Sequence, residues 1–111
     1  MSVDDEVEII VLDVKTVARG MRISPLLGSS VVNDADELIG AIDDLVVERG
    51  QPDHIAYAVL QVGGFLGVGG RLIAVEYGAL RISEEEDELR IVLPGASREA
   101  LERFPAFVYG A

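Results

Sequence analysis

Apolar residues fall in short runs broken at near-regular spacing by Gly, Asn, Asp and Pro, the pattern of a mainly-β chain. "VEIIVL" (Val7–Leu12) is β-branched and predicts a strand or an extended arm. In "DVKTVARGMRISPLLG" Val14, Val17, Ala18 and Met21 have helical spacing, which allows a single helical turn bounded by Gly20 and Pro25. "SSVVND" predicts a strand, and Asn33–Glu37 a turn, because Asn and Asp bond back to their own backbone. In "LIGAIDDLVVERG" strict alternation would bury Asp44 beside Leu38, Gly40, Ile42 and Val46. One extra residue at Asp43–Asp44 removes that cost and puts Ile42, Leu45 and Val47 on one face, the mark of a β-bulge. Gly40 fits a strand that bends.

Arg49–Asp53 reads as a turn, and "HIAYAVLQV" after it is apolar on both faces, so it predicts a central strand buried on each side. "RLIAVEYGALRI" predicts one more strand, and "LRIVLPG" another, joined by a hairpin whose exposed tip is the acidic run Ser83–Glu88. "SREALERF" predicts a two-turn helix over Ser97–Phe104, with Ser97 as N-cap, Ala100, Leu101 and Phe104 along one stripe, and Pro105 closing it. Phe107 and Tyr109 then lie in an extended tail. Five or six short strands so arranged suggest a small closed or half-closed barrel.

The glycine-rich "GGFLGVGGR" (Gly63–Arg71) is the one stretch that resembles a phosphate cradle. Gly64 and Gly69 have the spacing of a nucleotide-binding loop, but Gly70 and Arg71 stand where that loop needs Lys and Ser or Thr. Gly67 and Gly69 match two positions of a dinucleotide fingerprint, and Leu72 occupies the third. Both motifs also need a following helix to hold the anion, and here strand formers follow, so the stretch predicts a hairpin tip. Its apolar residues Phe65, Leu66 and Val68 either fold onto the barrel end or present a small adhesive surface. Asp43–Asp44 reads as a polar bend rather than a carboxylate pair, Asp34 and Asp36 lack the downstream ligands of a calcium loop, and His54 has no nucleophile to serve. No catalytic residue, cofactor or metal site is expected.

Composition narrows the partners. Twenty acidic residues against nine basic ones give a formal charge of -11, with Lys15 the single lysine and the arginines scattered from Arg19 to Arg103. Such a chain repels phosphate backbones and anionic membrane surfaces alike, so no direct nucleic acid and no membrane insertion are expected. No apolar stretch approaches the ~20 residues of a spanning helix. Without cysteine there are no disulfides or thiolate metal sites. The acidic start argues against an export signal, so a cytoplasmic location is expected unless such a signal has been removed.

Three stretches resemble the PRC-barrel domain family: "LLGSSVVNDADELIGAIDDLVV" (Leu26–Val47), "HIAYAVLQVGGFLGVGGRLIAVEYGALRI" (His54–Ile82) and "LRIVLPGASREALERFPAF" (Leu89–Phe107). The domain occurs in the H subunit of the purple bacterial photosynthetic reaction centre and in the ribosome maturation factor RimM. "DVKTVARG" ahead of the barrel is similar to small stand-alone bacterial members, several of which carry an export signal that is not visible here. Many members have Pro and an aromatic where this chain has Glu76-Tyr77. The resemblance implies an all-β, six-stranded antiparallel barrel over residues 26–111 with one short C-terminal helix, preceded by an arm over residues 1–25 that packs on it. It also implies a non-enzymatic module for protein interaction and assembly. The alternative is an accessory protein that handles a small ligand or assists RNA processing through a protein partner.

The partner protein cannot be read from the residues, but self-association, with a dimer favoured, is expected. An apolar content of 50% in so short a chain implies exposed apolar patches. The candidate surfaces are Phe65, Leu66 and Val68, the arm Val7–Leu12, and the tail Phe107 and Tyr109. The competing expectation is that both termini fold over the open ends of the barrel.

Overall fold

The computed structural model describes residues 9–63 and 70–110. Six strands form one sheet: β1 (Ser30–Val32), β2 (Leu38–Glu48), β3 (Gln51–Val62), β4 (Arg71–Glu76), β5 (Arg81–Glu85) and β6 (Glu88–Val92), in the order β4-β3-β2-β1-β6-β5. Two five-residue helices flank it, α1 (Val14–Ala18) and α2 (Arg98–Glu102), so a helix precedes the sheet as well as following it. Asp13 caps α1 by accepting from the Lys15 N–H at 3.0 Å. Ser97 caps α2 by accepting from the Ala100 N–H at 3.1 Å.

β3 is the central strand that its two-sided apolar pattern predicts: Ala58, Val59, Leu60 and Val62 are all buried. It begins at Gln51, earlier than expected, because the turn from β2 needs only Arg49 and Gly50. Pro52 is tolerated there because β4 reaches only as far as Tyr57, so the proline's missing N–H breaks no ladder bond to that neighbour. The bulge in β2 also falls where expected. Ile42 pairs with Leu60 and Asp44 with Val59, so Asp43 is the extra residue, and Leu45 returns to the core face with Ile42. A further register shift between Val46 and Val47 was not predicted. It turns Val47 outward instead of onto the face of Ile42.

Of the expected closed or half-closed barrel the structure has the half-closed form, and the expected antiparallel pairing requires correction at one contact. "RLIAVEYGALRI" is not one strand. A 3-10 turn at Tyr77–Ala79 divides it into β4 and β5. Since β4 to β1 alternate in direction, and β6 runs parallel to β1 through the Val32–Val92 bridge, β5 must run on in the sense of β4. The turn is therefore a corner, not a hairpin, and it makes the β1–β6 contact parallel. In addition, β4 and β5 are the outer strands of an open sheet. Laid flat, six strands would separate these edges by about 24 Å at ~4.8 Å per step. The chain from Glu76 to Arg81 spans at most about 17 Å. The sheet must therefore curl, and its two edges meet at the Tyr77–Ala79 corner without closing into a continuous ladder.

The curl encloses one core. Val31, Ile42, Leu60, Ile73 and Ile91, from five different strands, are each essentially inaccessible. Ile42, Leu60 and Ile73 are direct cross-strand neighbours. Leu26, in the 3-10 turn Ser24–Leu26, and Leu101, in α2, join the same cluster. Among the described residues none before Leu26 takes part in it: every residue from Ile9 to Pro25 is exposed, and α1 buries none. Residues 9–25 leave no side chain buried against the barrel in the single chain.

Candidate interaction surface

The open seam of the sheet is where the chain offers unusual surface. Arg71, at the start of β4, sends its guanidinium to carbonyls at and just past the end of α2, donating to Leu101 O at 2.6 Å and Phe104 O at 2.5 Å. Leu101 lies in the last turn of α2 and Phe104 two residues past its end; Leu101 O also accepts from the Phe104 N–H at 3.1 Å, and a cation suits the helix C-terminus. Arg71 therefore pins α2 over the seam. Nothing in the sequence marks that role, since the two partners lie 30 and 33 residues away.

The tail is also tied down. Phe107 N–H donates to Leu72 O on β4 at 2.8 Å, and Tyr109 OH donates to Asp43 on β2 at 2.7 Å. The two rings meet edge to face at 4.9 Å. Between these anchors the tail crosses β3, on the side where Val59 is buried yet lies apart from the main core cluster. Phe107 is half-buried and Tyr109 is partly exposed, so both candidate residues are engaged with their own barrel. Phe65, Leu66 and Val68 lie outside the described residues. Val62 pairs with Arg71, so the glycine-rich segment connects two antiparallel strands, and the segment after it is a strand rather than the helix that a phosphate cradle requires.

Burial, and then the hydrogen bond to Asp43 and the negative charges of Asp43 and Asp44, push the Tyr109 phenol above its ordinary value. A raised folded-state value means that the tail anchor contributes fully below the unfolded phenol's titration and is lost as pH rises through the folded one. Tyr109 is therefore expected to ionise late in a spectrophotometric alkaline titration, and Tyr109→Phe should remove that late component.

Seam, tail and α2 leave part of β4 uncovered. In an antiparallel strand the N–H and C=O of one residue point the same way, alternating along the chain. Leu72 O bonds outward to the tail, so Ala74 and Glu76 also point outward, and among the described residues their backbone groups have no backbone partner. Beside this edge lies a hollow of about 490 Å³, whose walls include Tyr57, Val75, Ala79, Leu93, Pro94 and Phe104. A wider hollow of about 900 Å³ lies at the other end of the hairpin, between Gly40, Gln61 and Arg98. Asp43 and Asp44 are both exposed and engaged locally, Asp43 by Tyr109 and Asp44 by the Leu45 N–H at 2.8 Å. His54 is exposed beside Asp53. Among the described residues no three acidic or imidazole side chains cluster to hold a metal, and no helix is long and apolar enough to cross a membrane.

Comparison with known proteins agrees with this architecture. The family model described as PRC-barrel domain matches residues 18–97. No curated protein matches the chain.

Proposed function

The chain belongs to the PRC-barrel domain family, and from that premise we propose that it is a non-enzymatic docking module that associates with itself. The PRC-barrel family is generally non-catalytic. The observation that carries the self-association reading is the exposed apolar segment before the barrel: eight large apolar side chains between Ile9 and Ile23 have no cover in the single chain. Single apolar residues on a surface need no explanation, but eight within fifteen residues form the kind of patch that marks an interface. In this reading residues 26–111 are the barrel domain, and residues 1–25 are an arm available for contacts beyond the chain's own core. The arm lies mostly ahead of the matched family segment, residues 18–97.

Multi-angle light scattering over a wide concentration range tests the proposal. The expected mass is that of two chains, falling toward one on dilution. A mass of 11.9 kDa at every concentration would end the self-association reading.

A further inference from the structure

The hollow beside β4 has two unlike ends. Its walls are apolar: Val75 from β4, Leu93 and Ala96 from the loop before α2, Leu101 from α2 and Phe104 from just past it. Val75, Leu93, Ala96 and Leu101 keep 4–7% exposure, against 0–1% for Ile42, Leu60 and Ile73, so they are the part of the core that reaches an opening. Its volume of about 490 Å³ suits a small molecule, since ligand pockets span roughly 300–1,000 Å³. The mouth is acidic and aromatic. Glu76 at the end of β4 lies directly opposite Tyr57 on β3. Glu76 turns its backbone outward, so the two form a non-hydrogen-bonded pair, the kind whose side chains stand closest. Both are exposed, and among the described residues Glu76 has no ion-pair partner. The carbonyls of Ala74 and Glu76 also face this edge without a backbone partner among the described residues. A carboxylate, a ring face and free carbonyls all attract a cationic donor, and no Lys or Arg lines the hollow to compete.

We propose that this hollow binds a small hydrophobic amine in its ammonium form. The hydrocarbon lies among Val75, Leu93, Leu101 and Phe104, and the ammonium sits at the mouth between the Glu76 carboxylate and the Tyr57 ring. An ammonium has three donors and no acceptor, which matches a mouth built of acceptors. An anion of the same shape meets Glu76 and a chain of net charge -11, and a neutral alcohol gains only the apolar walls. A lysine side chain of another protein brings a four-carbon stem, too little hydrocarbon to cover walls contributed by five apolar residues. The site is separate from the exposed segment that carries the self-association reading, so the outcome for one leaves the other standing.

The test titrates the full chain near neutral pH with octylamine, octanol and octanoate, followed by amide resonances. Octylamine should bind saturably, one per chain, and shift the signals of Val75, Ala79, Ala96 and Phe104. Octanol should bind at least fivefold more weakly, and octanoate more weakly still. Glu76→Gln should bring octylamine down to the affinity of octanol and leave octanol unchanged. Glu84→Gln removes the same charge from the β5–β6 hairpin and should change neither, which separates the site from the general pull of an acidic chain. Ala79→Trp, in the wall of the hollow, should weaken octylamine and octanol alike at least tenfold. All three positions are exposed, so each variant should keep the parent's far-UV spectrum and cooperative melting. The absence of saturable binding, shifts confined to other residues, or an equal loss in Glu84→Gln would overturn the site. Octanol binding as tightly as octylamine would overturn the preference for an ammonium. Nα-acetyl-lysine amide binding as tightly as octylamine would overturn the small amine in favour of a lysine side chain.

Discussion

Asn33→Ala is expected to lower folding stability by about 3 kcal/mol, within the range for stripping several buried hydrogen bonds at one residue. For a chain of this size that is a fall in melting temperature of roughly 12–18 °C. Asn33, just after β1, is the buried polar residue of the core region, 4% exposed. Its Oδ1 accepts from the N–H groups of Ala35 and Glu37 at 3.0 and 2.9 Å. Its Nδ2 donates to the Glu37 carboxylate at 2.9 Å and to the Ala96 carbonyl at 3.1 Å. Alanine leaves two backbone donors and one buried acceptor without partners, and of the bonds tying the loop before α2 to the β1–β2 turn it leaves the one from the Gly95 N–H to Asp34. Asn33→Asp separates the two halves of this role. It keeps the accepted bonds but sets a carboxylate against the Ala96 carbonyl and the Glu37 carboxylate. That variant should be destabilised near neutral pH and regain stability toward acid, as protonation restores a donor. Urea denaturation at two pH values reads both effects, and an Asn33→Ala midpoint equal to the parent's would overturn the assignment.

Gly40→Ala should also destabilise, by about 2–3 kcal/mol, as expected for forcing atoms into a filled space. A Cβ at Gly40 would overlap the Gln61 carbonyl oxygen on β3 and sit 3.1 Å from Val62 Cγ1. The first of these is backbone, so relief requires moving a strand. The sign is what makes the test sharp, because where the backbone allows it Gly→Ala stabilises by roughly 0.4–1 kcal/mol through the unfolded chain. Gly50→Ala, in the β2–β3 turn, is the matching control. It has open space around the added Cβ and should be neutral or slightly stabilising. Thermal melts should therefore show Gly40→Ala well below the parent and Gly50→Ala at or slightly above it, and a Gly40→Ala protein as stable as the parent would contradict the packing described.

Gly40 also shows how far sequence reasoning reached. A glycine inside a strand pattern signalled a bend, and β2 is indeed irregular, but the close approach of the Gln61 carbonyl belongs to β3 and left no mark near Gly40. Asn33 was legible as turn chemistry because the Ala35 and Glu37 bonds are local. Its bond to Ala96, 63 residues away, was not. The tail was identified as a candidate surface from its aromatic residues. Its attachment to Asp43, 66 residues distant, appears only once β2, β3 and β4 lie side by side.

The sequence by itself determined whatever depends on neighbours along the chain. Alternation and turn residues set the β class. The cost of burying Asp44 set the bulge after Ile42, unbroken apolarity set the burial of β3, and the Ser97 cap set the start of α2. Tertiary structure decided what depends on where distant segments meet. The corner at Tyr77–Ala79 breaks an otherwise continuous strand-forming run, because a sheet that curls needs its chain to step from one edge to the other. That step makes the β1–β6 contact parallel, leaves the outer edge of β4 partly free, and gives Arg71 a helix end to hold. Residues 9–23 illustrate the same division from the other side. Their apolarity is plain in the sequence, but only the filled core beneath Leu26 leaves them nothing in their own chain to cover.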